Sequence, residues 1–437
     1  MKFNLHPVAV ESFNEEAERM YKELIYSSIC VSKKEENSFK PDYFVSSNLT
    51  EKDIVGDLKS STTDWIGNEI AVFFYYEGKK VGICGENYRK LVKLSESMQR
   101  TPQLSQFVSV SFLKDLIFNW MKDKYLNKIS CSMLDYIIKI CENEVTESEI
   151  WIPLAQTYIQ SEIKIGSVML KTITREMLDE WTDRWDMDEE TKKKSKMEFM
   201  RKYQPTLQGL AAATISLYAE PQRANEIAIE EAEQAASILR IFSPGVFHPE
   251  VISCCTLLGN EHIKIDKMFQ IKDKKLLGIT EKMANILWIP WKLENEFIDM
   301  IRNNGLDILS NVLLQAEKSD FQNQVLNSLF IYSQSALAVD VEDKLIYVLV
   351  AVESILLRDA NEPIQQNIGE RMAFLLENTA DKRKAIIKNV KEVYAVRSKF
   401  IHHGQTIDEM ELITTFMSNT YRFFLVLIMN INKYKNN

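Results

Sequence analysis

From Pro290 onward, apolar side chains recur at helical spacing through six segments: 292–316, 321–338, 341–358, 365–378, 381–403 and 408–433. Short breaks separate them at Gly305, Asp340, Asn361-Glu362-Pro363, Thr379-Ala380-Asp381 and Gly404. Helices of these lengths joined by so few residues can bury their apolar stripes only against one another. The pattern therefore predicts an antiparallel bundle. In 381–403 the predicted buried stripe is Ile386, Ile387, Val390, Val393, Val396 and Phe400. In the last helix it is Leu412, Phe416, Tyr421, Phe424 and Ile428.

Upstream the texture is mixed. Ala71–Tyr76, the turn Glu77-Gly78-Lys79 and Lys80–Cys84 predict a β-hairpin, and 106–125 and 130–143 carry helix-period apolar residues. Strand patterns return at Ile150–Leu154, Tyr158–Ile165 and Val168–Ile173. Thr174 is the expected N-cap of a helix reaching Trp185, and Asp188–Lys202 reads as a solvated helix. A strand over Leu210–Tyr218 is followed by a helix over Pro221–Phe242 that Pro244 and Gly245 stop, then by β-like material between Val251 and Thr280. At 437 residues the chain exceeds one ordinary domain. The expected organisation is an α+β N-terminal part in two regions, 1–147 and 148–290. An all-α region follows over 291–437, with its bundle core at about 318–437.

A hydrophobic share of 46% with 26% charged residues is that of a folded globular chain, and the net charge of −9 argues against a general nucleic-acid coat protein. Cys30, Cys84, Cys131, Cys141, Cys254 and Cys255 form no CxxC pair, so zinc is not expected and a reduced, cytoplasmic setting is. Met1–Glu15 lacks the basic-then-apolar order of a signal peptide. The longest apolar runs, Leu345–Leu357 and Phe423–Met429, fall short of a bilayer span, so a soluble protein is expected. Gly82-Ile83-Cys84-Gly85 is too short for a phosphate-binding loop. His248 and His262 stand apart from any ligand pattern, and Glu230-Glu231-Ala232-Glu233 and Asp186–Glu190 read as helix surfaces. Trp288 and Trp291 flank Pro290 at the edge of the predicted bundle.

The remaining chemistry gathers near the end of helix 381–403. The chain has five histidines, and two of them, His402 and His403, precede the helix-stopping Gly404. Arg397 lies five residues before His402. A guanidinium holds phosphate through a planar fork of donors, and an imidazole moves protons near neutral pH. The same helix carries Lys382, Arg383, Lys384, Lys388, Lys391 and Lys399 against Asp381 and Glu392. That face is either a solvated helix surface or a track for a polyanionic backbone, with Lys388, Lys391 and Lys399 nearest the Arg–His pair. Two residues five apart lie roughly 140° around an ideal helix, so Arg397 and His402 flank a face unless the helix loosens before Gly404. His402 could also serve as a C-terminal residue favoured by the helix dipole. Arg397 could pair with Glu353, an acid inside an apolar segment that needs a partner in any case. Cleavage by a neighbouring hydroxyl needs both a base and an acid. Two copies of the helix across a twofold axis would supply both, which predicts a homodimer with a composite site.

Val352-Glu353-Ser354-Ile355-Leu356-Leu357, Ile368-Gly369-Glu370-Arg371-Met372-Ala373-Phe374-Leu375-Leu376 and Tyr394-Ala395-Val396-Arg397-Ser398-Lys399-Phe400-Ile401-His402 together resemble the HEPN superfamily, and within it the Apea-like group. The resemblance covers roughly the last 120 residues. It implies a four- to five-helix bundle and a metal-independent endoribonuclease without cofactor, with Arg397 and His402 catalytic and Glu353, Ser398 and His403 supporting. It also implies RNA as substrate, tRNA among the candidates, and a role in bacterial antiviral defence or abortive infection, with a phage-derived trigger as a further partner. The same family includes non-catalytic binding scaffolds and toxins held by an antitoxin. Two positions depart from the family pattern. Ser398 stands where Asn or Asp is common, and Gly404 stands where nucleotidylated members carry tyrosine.

Overall fold

The computed structural model describes residues 5–26, 59–76, 79–253, 255–260, 265–272, 274–283, 290–357 and 362–433. The chain divides into two compact units. One is Met1–Ser148 with Ser216–Ile227, and the other is Glu149–Ile215 with Ala228–Asn437.

The first unit opens with α1 (Pro7–Tyr26), then an antiparallel sheet of β1 (Lys59–Thr63), β2 (Glu69–Tyr76) and β3 (Lys79–Cys84) in that order. β2 and β3 form the expected hairpin, Ala71 facing Cys84 and Tyr76 facing Lys79. Glu77 and Gly78 of its turn lie outside the described residues. The helices α2 (Gly85–Gln99), α3 (Pro102–Ser105), α4 (Val110–Tyr125) and α5 (Met133–Glu144) follow. Ser109 and Ser132 cap α4 and α5 by accepting from the backbone N–H of Phe112 and Asp135. Tyr88, Leu91, Leu94 and Met98 of α2, spaced three or four apart, meet Phe74, Ile83, Phe118 and Trp120 in one buried core.

The returning stretch Ser216–Ile227 joins this unit through a buried carboxylate. Glu220, 2% exposed, accepts from the backbone N–H of Ser109 at 3.0 Å and of Arg223 and Gln222 at 2.8 Å each. Three backbone donors satisfy the charge that burial would otherwise strand.

The second unit begins as a four-stranded sheet, ordered β4 (Thr146–Pro153), β8 (Ala211–Ala219), β7 (Val168–Thr172), β6 (Ile163–Ile165). β5 (Thr157–Ile159) lies outside that sheet. α6 (Arg175–Asp183), capped by Thr174, and α7 (Glu189–Leu207) cover part of the sheet through Trp151, Trp181 and Phe199 around buried Ile173, Leu178 and Ala212. α8 (Pro221–Arg240) ends before the 3-10 turn Pro244–Val246, where the proline and glycine stop it. β9 (Ile265–Lys272) and β10 (Lys275–Met283) form an antiparallel hairpin.

Helical pattern was expected from residue 292, but Trp291–Leu293 form β11, paired in parallel with β5. Three residues are too few for periodicity to separate strand from helix. The helices then run α9 (Asn295–Ile301), α10 (Asp307–Leu313), α11 (Asp320–Ser335), α12 (Val341–Leu356), α13 (Ile364–Leu376), α14 (Ala380–His403) and α15 (Met410–Asn430). A kink at Arg302–Leu306 links α9 to α10, where Gly305 leaves helical geometry at φ +109°.

α11 packs on α12, α13 on α14, and α15 against α12, α13 and α14. Of the predicted stripes, Ile386, Val390, Val393, Val396, Phe416, Phe424 and Ile428 are buried, whereas Ile387, Phe400, Leu412 and Tyr421 are half-buried. α15 is long and apolar enough by length and composition to cross a membrane, yet Ile413, Phe416, Met417, Phe423, Phe424, Leu427 and Ile428 are buried as a core face.

The stretch before residue 290 is not separate from the bundle. Tyr332 donates to the Val246 carbonyl at 3.0 Å, and the Ser253 N–H donates to the Ala336 carbonyl at 2.7 Å. Lys344, fully buried on α12, donates through Nζ to the carbonyls of Gly245, His248 and Val251 at 3.2, 3.3 and 2.5 Å. The expected middle region, apart from 216–227, and the expected helical region thus belong to one unit.

Candidate functional site

α14 stays α-helical to His403 and ends on Gly404. That residue is left-handed at φ 62°, and its N–H donates to the Phe400 carbonyl at 2.8 Å. Glycine takes this conformation without the clash that a side chain would meet. Because the helix does not loosen, Arg397 and His402 keep their separation of roughly 140°. Burial follows that geometry. Lys384, Lys388, Lys391, Ala395, Ser398 and His402 are exposed along one side, whereas Val390, Val393, Tyr394 and Val396 are buried. His402 therefore stands amid a basic, solvent-facing strip, and Arg397 is half-buried on the side turned toward the bundle. On that strip Lys388 pairs loosely with Glu392 at 3.8 Å. His402 and His403 occupy the last turn, where the helix dipole favours positive charge.

Glu353 on α12 has a partner other than the arginine. The Tyr394 hydroxyl donates to its Oε1 at 2.7 Å. Tyr394 lies one helical turn before Arg397 on the same face, so the rigid ring reaches the carboxylate first. Burial pushes the Tyr394 hydroxyl well above its ordinary range. The hydrogen bond and charge of Glu353 push the same way, and the charge of Arg397 pulls back. Arg397 is thus close enough to be felt at Tyr394, yet it makes no hydrogen bond or ion pair with any described residue. Sequence reasoning missed Tyr394, although its place three residues before the arginine was a usable signal.

Beside the helix end lies a cleft of about 430 Å³ lined by Val396, Lys399, Gly404, Gln405, Thr406, Asp408 and Glu409. Lys399 reaches it, but Arg397 and His402 are not among its walls. Ser398 and His403 are exposed. Within one chain the helix therefore presents an imidazole and lysines outward and holds a half-buried guanidinium apart from them.

Among the described residues no three His, Cys, Asp or Glu side chains gather as metal ligands. Cys131, Cys141 and Cys255 are free thiols, and Cys30, Cys254, His262 and Trp288 lie outside the described residues. His248 is exposed with its ring against Phe247, and Glu230, Glu233 and Asp186 are exposed on or beside helices. Two further buried cations went unread in the sequence, Lys344 and Arg240. Arg240 sits inside an apolar run and Lys344 directly precedes one, and an interior charge needs partners. No family model, curated protein or solved structure matches the chain.

Proposed function

We propose that the chain is a metal-independent endoribonuclease of the HEPN type, cutting RNA at a site that two copies of α14 complete together. The observation that carries this reading is Arg397, a half-buried guanidinium with no counter-charge among the described residues. It lies five residues before an exposed histidine on a lysine-lined helix end. An arginine kept only for structure would normally hold a carboxylate. Here the candidate on α12, Glu353, is engaged by Tyr394 instead. A free guanidinium fits the doubly charged, phosphorane-like transition state of phosphodiester cleavage.

In this mechanism the RNA 2′-oxygen attacks phosphorus while a base takes its proton, and an acid returns a proton to the departing 5′-oxygen. The phosphorus–5′-oxygen bond breaks, leaving a 2′,3′-cyclic phosphate and a 5′-hydroxyl. His402 of each copy takes one of the two proton roles, and Arg397 holds the non-bridging oxygens. Lys388, Lys391 and Lys399 track the adjoining phosphates, while Ser398 and His403 flank the site. DNA lacks the attacking hydroxyl and survives. The family resemblance extends this to a cytoplasmic effector of antiviral defence or abortive infection acting on tRNA or another cellular RNA.

One observation favours a second reading. Arg397 and His402 lie far apart around an unbroken helix, as they would in a bundle used only as an RNA- or protein-binding scaffold. Purified protein incubated with labelled RNA in EDTA separates the two. The nuclease reading expects cleavage with cyclic-phosphate ends that disappears in Arg397→Ala and in His402→Ala. Intact RNA with folded wild-type protein would leave the scaffold.

A further inference from the structure

Arg240 is 3% exposed, inside the buried run Ser237-Ile238-Leu239-Arg240-Ile241-Phe242 at the end of α8. Its Nη1 donates to the Cys255 carbonyl at 2.7 Å and its Nη2 to the Ser237 hydroxyl at 2.8 Å. Nε is buried and finds no acceptor, and no carboxylate ion-pairs with the guanidinium among the described residues. The Cys255 thiol beside it is no counter-ion, because burial pushes it up to about 11 and keeps it neutral. A buried cation left in this state is costly, and the usual remedy is an anion.

The same guanidinium lines a cavity of about 510 Å³, well within the range of small-molecule sites. Around it stand Glu233, Ser237, Thr256, Asn260 and Gln334, while Leu257 and Leu337 supply apolar wall. We infer that this cavity binds a small molecule carrying an oxyanion group, a phosphate or a carboxylate, held by Arg240. Two of the five guanidinium donors are already committed, and the Nη hydrogens that remain can donate to the oxygens of such a group. The hydroxyl and amide side chains suit the polar remainder of the ligand. Exposed Glu233, two helical turns before Arg240, places one negative charge on the rim. That charge favours a ligand with a hydroxyl or amine facing it and weakens binding of a bare anion.

Calorimetric titration of the full chain with inorganic phosphate, phenyl phosphate and benzoate tests this. Saturable binding of at least one probe at one site per chain is expected, and the stronger arm identifies the anionic group. Glu233→Gln removes rim repulsion and should tighten that probe about two- to fivefold. Leu337→Trp puts a large ring into the cavity wall and should abolish binding while the melting temperature stays near that of the wild type. Arg240→Lys keeps charge but loses the fork, so affinity should fall about tenfold or more. If that variant does not fold, Leu337→Trp decides. No saturable binding by wild type up to about 10 mM probe, or binding that Leu337→Trp leaves intact, overturns the proposal. RNA cleavage is not measured, so the result stands apart from the nuclease reading.

Discussion

Replacing Gly305 with alanine should destabilise the second unit by about 2–4 kcal/mol. Gly305 sits at φ +109° and ψ 9° in the kinked link between α9 and α10. Holding an L-residue in such a conformation costs about 1–3 kcal/mol. A Cβ at this position would also stand 2.4 Å from Cγ2 and 3.5 Å from Cβ of Ile428, a fully buried residue of α15. Forcing a methyl into a packed interior adds about 1–3 kcal/mol. The lower backbone entropy of unfolded alanine offsets roughly 0.4–1 kcal/mol. Urea unfolding followed by tryptophan fluorescence, run as a double-mutant cycle with Ile428→Ala, separates these terms. Ile428→Ala removes the clashing atom, so in that background the alanine should cost only the backbone strain. The coupling between the two sites would be about 1–3 kcal/mol. A Gly305→Ala penalty under about 0.5 kcal/mol, or no coupling to Ile428, would refute both the strain and the contact.

Lys344 makes stability depend on pH. Burial pushes its ammonium down from 10.5 to about 7, while its three carbonyl acceptors oppose that shift. Between those limits the unfolded chain holds a proton that the folded chain releases, so this group makes stability rise with pH by at most about 1.4 kcal/mol per unit. Below about pH 7 both states are protonated and the slope vanishes. Urea midpoints at pH 6.5 and 8.5 should show a steeper rise for wild type than for Lys344→Met, and equal slopes would contradict the assignment. Tyr394→Phe leaves half-buried Glu353 without its donor and should cost about 1–3 kcal/mol, with most of that loss absent when Glu353 is already Gln. Equal losses in both backgrounds would mean that the pair is not coupled. Glu220→Ala strands three backbone N–H groups and should lower the stability of the first unit by about 2–4 kcal/mol, read by hydrogen exchange at Ser109 and Arg223. Unchanged exchange there would contradict the anchoring role.

Helix periods read well because each bundle helix buries one stripe over many turns. That is why α12, α13 and α14 begin and end within a few residues of their expected limits, with Gly404 stopping α14 as its position suggested. β11 did not read, since three residues carry no period and its partner strand lies more than a hundred residues upstream. The division into units was equally hidden. Only the fold shows that Glu220 ties its stretch to Ser109, or that Lys344 and Tyr332 hold the 245–253 loop against the bundle. The candidate residues were legible by type and spacing, but their pairing was not. The sequence left open whether Glu353 pairs with Arg397, and a tyrosine one turn away reaches the carboxylate instead. The cavity at Arg240 is assembled from α8, the 255–260 segment and the end of α11, a conjunction that no local pattern announces.

A mixing experiment tests the shared site most directly. Wild-type chains and a large excess of inactive His402→Ala chains are unfolded together, refolded as a mixture and assayed on labelled RNA in EDTA. Because a mixed dimer would hold only one of the two histidines that the shared site needs, cleavage per wild-type chain should fall toward the small fraction of dimers that are wild type on both sides. If the wild type cleaves and the mixture keeps the full activity of its wild-type chains despite exchanging subunits, the histidines do not act across a twofold interface.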